Sequence, residues 1–201
     1  MEKKEQQKQE RPQLTADLEG NYLIDRQSKD LKAIGLFYAP AGGSAHKVAK
    51  RIKQKITGHK VEMFYLKDIT PEKLLDYHNI IFVCSSLGRN TWRDNVEDEW
   101  AAFIPAFRKI SLDGRQVALV GLGDHMTYPN NFADGMGDIA DIVEELGGVL
   151  IGKTTADGYV FNASRAFRDD LFVGLPLDED YESDKTNARI EKWLTLVLPE
   201  M

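Results

Sequence analysis

The chain has 201 residues, 42 % of them hydrophobic, enough for one sizeable core and short for two independent domains. Its formal charge is −6 at pH 7, and residues 1–32 hold seven basic and seven acidic side chains, so the whole excess belongs to the body; that sign disfavours nucleic acid and anionic membranes as partners, both being polyanions. Cys84 is the only cysteine, which excludes an intrachain disulfide and a cysteine-rich metal site, fits a reducing compartment and leaves any redox chemistry to a borrowed cofactor.

Residues 1–30 are rich in Glu, Lys and Gln and show no sustained helical or strand periodicity. Such a segment buries too little apolar area to offset the entropy of ordering, so a mobile polar extension is expected. Leu14, Leu18, Tyr22, Leu23 and Ile24 could still dock its second half on the body. The charged start has no apolar stretch behind it to act as a signal peptide, and no run nears the roughly eighteen apolar residues of a bilayer span; a cytoplasmic protein is expected.

In residues 31–201 short apolar runs alternate with amphipathic stretches. The runs 33–38, 61–66, 80–84, 117–121 and 149–152 predict five strands. After the first comes a helix with Ala45, Val48, Ala49, Ile52 and Ile56 on one face, ending before Gly58. Thr70 and Pro71 open a short helix through Leu74 and Leu75, as N-cap and first helical residue. A third helix buries Trp100, Phe103, Ile104 and Phe107. A fourth carries Ile139, Ile142, Val143 and Leu146 and stops at Gly147-Gly148, and the last carries Ile190, Trp193, Leu194 and Val197 and stops at Pro199. Strand and helix in alternation predict an α/β fold, an open doubly wound five-stranded parallel sheet with helices on both faces. Ligands of such sheets sit beyond the carboxyl ends of the strands, which directs attention to the loops after Tyr38, Cys84 and Val120.

The first of these loops reads Ala39-Pro40-Ala41-Gly42-Gly43-Ser44-Ala45 and runs straight into a helix. Backbone N–H groups and the positive helix end can converge there on a phosphate, although a tight strand-to-helix turn needs glycine in any case. After the fourth strand comes Gly121-Leu122-Gly123-Asp124-His125-Met126-Thr127-Tyr128-Pro129-Asn130-Asn131-Phe132-Ala133-Asp134. Its two glycines allow close backbone approach, a carboxylate can accept from a ring N–H, and an aromatic can stack on a flat ligand.

This stretch closely resembles the flavin-binding loop of flavodoxins. Downstream, Asp157-Gly158-Tyr159, Phe161, Phe172-Val173-Gly174-Leu175, Leu177-Asp178-Glu179-Asp180 and Ser183-Asp184 look like the segment that splits the fifth strand in long-chain members. The resemblance covers residues 34–201 and implies a flavodoxin-like fold and non-covalently bound FMN. It also implies a monomeric low-potential one-electron carrier, not an enzyme, shuttling between a reductase and an electron acceptor through a transient, charge-steered interface.

By the same resemblance, Pro40, Ala41, Gly42, Gly43, Ser44 and Ala45 would hold the phosphate. Gly121, Gly123, Asp124, Tyr128, Asn131, Phe132 and Asp134 would form one side of the flavin site, Tyr128 covering a ring face, and Asp180 would add charge nearby. Ser85, Ser86, Leu87 and Gly88 follow the third strand, where the family bonds a ring N–H through a backbone carbonyl and the glycine lets the peptide turn. Two departures stand out. Pro40, Gly42 and Ala45 replace hydroxyl-bearing residues, leaving Ser44 and the loop amides, with His46 and Lys47 as possible compensating charge. Leu87 replaces a stacking tryptophan, a role Trp92 in the longer loop before Asp98-Glu99-Trp100 could take over, unless it packs on the surface or helps a partner dock. These departures keep a second reading open, a flavodoxin-fold binding or regulatory module that has lost tight FMN binding. An FMN-dependent quinone or nitro reductase is a third.

Overall fold

In the computed structural model, residues 13–16, 22–25, 30–85 and 99–201 are described. The apolar runs become strands of one parallel sheet: β3 (Asp30–Ala39), β4 (Val61–Tyr65), β5 (Tyr77–Cys84), β6 (Gln116–Leu122), β7 (Val149–Ile151) and β10 (Leu175–Leu177). The strand order is β10-β6-β5-β3-β4, and β7 also pairs with β6. There are still five positions. β7 pairs with the start of β6 (Gln116 to Ala118) and β10 with its end (Val120 to Leu122), so residues 152–174 interrupt a single fifth position. Inside that interruption Phe167–Arg168 (β8) and Leu171–Phe172 (β9) form a small antiparallel pair.

The strands alternate in what they bury, as the pleat requires. Ile34 and Leu36 of β3, with Ile81 and Val83 of β5, face helices α1 (Ser44–Lys55) and α4 (Thr186–Val197), which contribute Val48, Ile52, Ile190 and Trp193. Phe37, Ile80, Phe82 and Leu119 point the other way, onto α2 (Glu99–Phe107) and α3 (Asp134–Glu145) through Trp100, Phe107, Met136 and Ile139. The sheet is therefore covered on both faces. Trp193 also donates from Nε1 to the Gly152 carbonyl at 2.8 Å, which ties α4 to the end of β7.

Three local outcomes differ from the expected elements. β3 begins at Asp30 rather than Ala33: its register shifts between Asp30 and Ile34, and Asn79 Nδ2 bridges the irregularity by donating to the Leu31 carbonyl at 2.8 Å. The short helix at Pro71–Asp76 is of the 3-10 type, and Thr70 makes no side-chain capping bond. Within the N-terminal extension, β1 (Gln13–Ala16) pairs antiparallel with β2 (Tyr22–Asp25). Four-residue strands are too short to display a period.

Candidate cofactor crevice

Four strand ends meet around one crevice of about 300 Å³. Pro40, Ser44 and Ala45 come from the β3–α1 junction, Ser85 from the end of β5, Leu122, Gly123, Asp124 and Tyr128 from the end of β6 and its loop, and Glu179 and Asp180 from beyond β10. The site lies where β3 has β4 on one side and β5 on the other, the switch in strand order at which open α/β sheets bind ligands. Its size falls in the ligand-pocket range. A larger depression, about 400 Å³, lies between Lys55 of α1 and Leu194 and Leu198 near the end of α4, away from the strand carboxyl ends and crossed by the Lys55–Glu191 ion pair; it offers no helix N-terminus.

The β3–α1 turn begins with a cis Ala39–Pro40 peptide and passes through Gly42 at φ +75°, a backbone region that favours glycine. Gly43 is the N-cap of α1 and supplies no side-chain cap. The first helical bond runs from Lys47 N to Gly43 O at 3.2 Å, so the N–H groups of Ser44, Ala45 and His46 have no partner within the helix. Together with the helix dipole they can receive an anion. Ala41 and Gly42 are exposed in the same turn but do not line the crevice, and Gly43 is half-buried. His46 is not a free compensating charge. Its ring stacks on Tyr38 at 4.7 Å, and its Nδ1 accepts the Gly42 N–H at 3.3 Å, which requires a neutral imidazole. Desolvation, aided by Lys50, lowers its pKa below the ordinary histidine value.

The loop after β6 is built around a turn. Asp124 accepts the Thr127 N–H on Oδ1 at 2.7 Å, and its carbonyl accepts the Tyr128 N–H at 3.0 Å, which leaves Tyr128 45 % exposed at the crevice. Gly123 is needed by the protein's own packing, because a Cβ there would lie 2.7 Å from Ala133 N.

Besides Ala41, Gly42 and Gly43, four residues expected around the ligand are not brought to the crevice. Gly121 faces α3, where a Cβ would lie 2.6 Å from that of Met136. Phe132 is completely buried, its ring within 6 Å of those of His125, Tyr159, Phe161 and Phe172. Asp134 opens α3 and accepts the Arg165 N–H at 2.8 Å, while Asn131 donates to Asp134 Oδ2 at 3.0 Å. These side chains hold the loop to the body. Ser86, Leu87, Gly88 and Trp92 lie outside the described residues; Ser85, which lines the crevice, leads directly into them.

The loop after β10 makes the rim acidic. Asp180 has its pKa raised, first by desolvation and then by Asp178, Asp124 and Glu179. Glu179 is held by Arg51 at 3.1 Å and by the Thr186 hydroxyl. Two residues absent from the expected set matter here: the buried Asp178, whose Oδ2 lies 2.7 Å from His125 Nδ1, and Glu179. The signal for both was the apolar run 175–177, a strand whose carboxyl end opens on the same crevice.

The family model described as Flavodoxin matches residues 36–193. The flavodoxin of Klebsiella pneumoniae is 34 % identical over 170 residues, covering 84 % of this chain and 94 % of its own, and that of Nostoc sp. is 33 % identical over 170 residues, covering 84 % and 97 %. Among solved structures, the Fusobacterium nucleatum flavodoxin bound to flavin mononucleotide superposes with a TM-score of 0.73 at 26 % identity, covering 82 % of this chain and 96 % of that one. The fold is thus the open, doubly wound α/β fold of the flavodoxins. The chain belongs to the flavodoxin family.

Proposed function

We propose that the chain binds FMN non-covalently in this crevice and carries single electrons at low potential between a reductase and an acceptor protein. The observation that carries the reading is that Ser44 and Ala45, at the α1 N-terminus, and Tyr128 line one cavity. A phosphate would be held at the α1 end by the N–H groups of Ser44, Ala45 and His46 and the Ser44 hydroxyl, and a planar ring would lie against Tyr128. FMN supplies the chemistry by taking up and returning one electron at a time. Asp124 and Asp180 line the same crevice as Tyr128 and add negative charge to it, which opposes added electrons and lowers the potential, whereas the charge of Glu179 is paired with Arg51. Met126, Tyr128 and Tyr181 are exposed beside these acids, a small apolar patch with an acidic border that suits a basic partner face. The flavodoxin relatives and the FMN-bound Fusobacterium nucleatum protein support the same reading, and among the described residues no helix is long and apolar enough to cross a membrane.

One observation favours the second reading, a binding module without tight FMN. The Gly42 N–H is already committed to His46, and three family hydroxyls are missing; charged hydrogen bonds of that kind are each worth about 1.5–3 kcal/mol. Titrating the apoprotein with FMN separates the two. Stoichiometric uptake of flavin that turns the protein yellow supports the carrier, and protein that stays colourless at excess FMN supports the module.

A further inference from the structure

Among the described residues Asp178 is the only acidic side chain that is completely buried. A buried carboxylate is costly unless its oxygens are bonded. Both are bonded here, and they divide their partners between two loops. Oδ1 accepts from the N–H groups of Asp180 at 2.9 Å and Tyr181 at 2.8 Å, within its own loop. Oδ2 accepts the His125 N–H at 3.2 Å and lies 2.7 Å from His125 Nδ1, on the loop after β6.

The position explains the arrangement. β6 and β10 pair as far as Leu122 and Leu177, and the Gly123 N–H donates to the Leu177 carbonyl at 3.0 Å. One residue further on, the side chain of Asp178 takes over the connection. Thr127 Oγ1 and Tyr181 Oη stand 3.5 Å apart at the rim, too long a separation to hold the loops by itself. On its other side the His125 ring packs edge-on against Phe132 and Tyr159, so the clasp is anchored in the aromatic cluster.

We propose that Asp178, acting through His125, is the positioning residue of the crevice: it clasps the Asp124–Tyr128 wall to the Glu179–Asp180 wall and so sets the width of the slot. The consequence for flavin rests on the FMN reading, whereas the clasp is a property of the apoprotein. The discriminating variant is Asp178→Asn. Its Oδ1 still accepts from Asp180 and Tyr181, but its NH₂ group is set against the His125 N–H, so the β10 loop stays and the β6 loop is released.

Amide exchange in the apoprotein then accelerates about tenfold or more at residues 125–128, while the amides of β3, β5 and β6 keep their wild-type rates. The dissociation constants of FMN and riboflavin rise together, by about tenfold. Their ratio is unchanged, because the α1 end is untouched. If circular dichroism shows that Asp178→Asn does not fold, His125→Gln, which keeps the three backbone bonds to Asp178 and removes only the ring contact, gives the same pattern with about a threefold rise. The proposal is overturned if the folded variant leaves exchange at 125–128 and both affinities unchanged, if exchange accelerates equally in the sheet, or if only FMN binding weakens. A wild-type protein that takes up neither flavin defeats the FMN reading alone, and the exchange comparison still decides the clasp.

Discussion

The Gly42 N–H points at Nδ1 of His46, 3.3 Å away, and the imidazole lies flat on Tyr38. An amide that a phosphate would otherwise use is therefore already engaged, and the engagement holds only while the ring is neutral. Burial and Lys50 lower the pKa of His46, so folding favours the neutral form. A base with a depressed folded pKa contributes stability that is complete above its unfolded value, 6.5, and lost as pH falls through the folded value. Protonation also frees the Gly42 N–H and puts a cation at the phosphate end. FMN affinity of the wild type, measured by fluorescence titration between about pH 7.5 and 5, rises relative to that of His46→Gln as pH falls. Parallel profiles contradict this.

Tyr128 lines the crevice with a half-exposed side chain, and its backbone is held in the loop by the Asp124 carbonyl and the Asn131 N–H. Tyr128→Ala is expected to weaken FMN and riboflavin alike, by about 0.5–1.5 kcal/mol, with little change in thermal stability. Flavin titration and thermal melting of the same sample check both halves.

Asp180 carries the opposite linkage to His46. Its raised pKa means that the folded protein binds its proton more tightly than the unfolded chain does, so its charge detracts from stability as pH rises above the ordinary 3.8. Asp180→Asn is therefore more stable than the wild type at neutral pH, and the difference disappears below that value. Denaturant melts of the apoproteins at both pH values test this, and because Asp180 is exposed the gain is small.

Gly174 has no side chain for a packing reason. A Cβ there would sit 2.2 Å from the Leu119 carbonyl oxygen, a backbone atom of the interior strand β6 that cannot swing aside. Gly174→Ala is expected to lose about 1–3 kcal/mol in urea unfolding, although the residue lies outside the crevice.

The sheet was legible because each strand is an apolar run bounded by turn residues, and the helices because residues such as Val48, Ile52, Ile190 and Trp193 fall on single faces. The split fifth position was legible only in part. The run 149–152 stands out, but Leu175–Leu177 is three residues long with a proline at its centre, so its strand character comes from pairing with β6 rather than from local pattern. That short strand positions Asp178 and Glu179. The 121–134 loop stands out in the sequence as a unit, but its sequence does not separate residues that face the crevice from those that hold the loop down. Phe132 and Tyr128 are both aromatic, and one is buried in the aromatic cluster while the other is exposed. Asp124 and Asp134 are both acids, and the second answers to Arg165. Tertiary partners made those distinctions.

FMN bound in this crevice spans the distance from the α1 N-terminus to Tyr128. Amide ¹H–¹⁵N spectra recorded while FMN is added to the apoprotein test this most directly. The structure predicts that the amides of Ser44, Ala45, Asp124 and Tyr128 shift together and saturate at one equivalent, with riboflavin shifting only Asp124 and Tyr128. Shifts confined to one end with FMN, or none at either end, would contradict it.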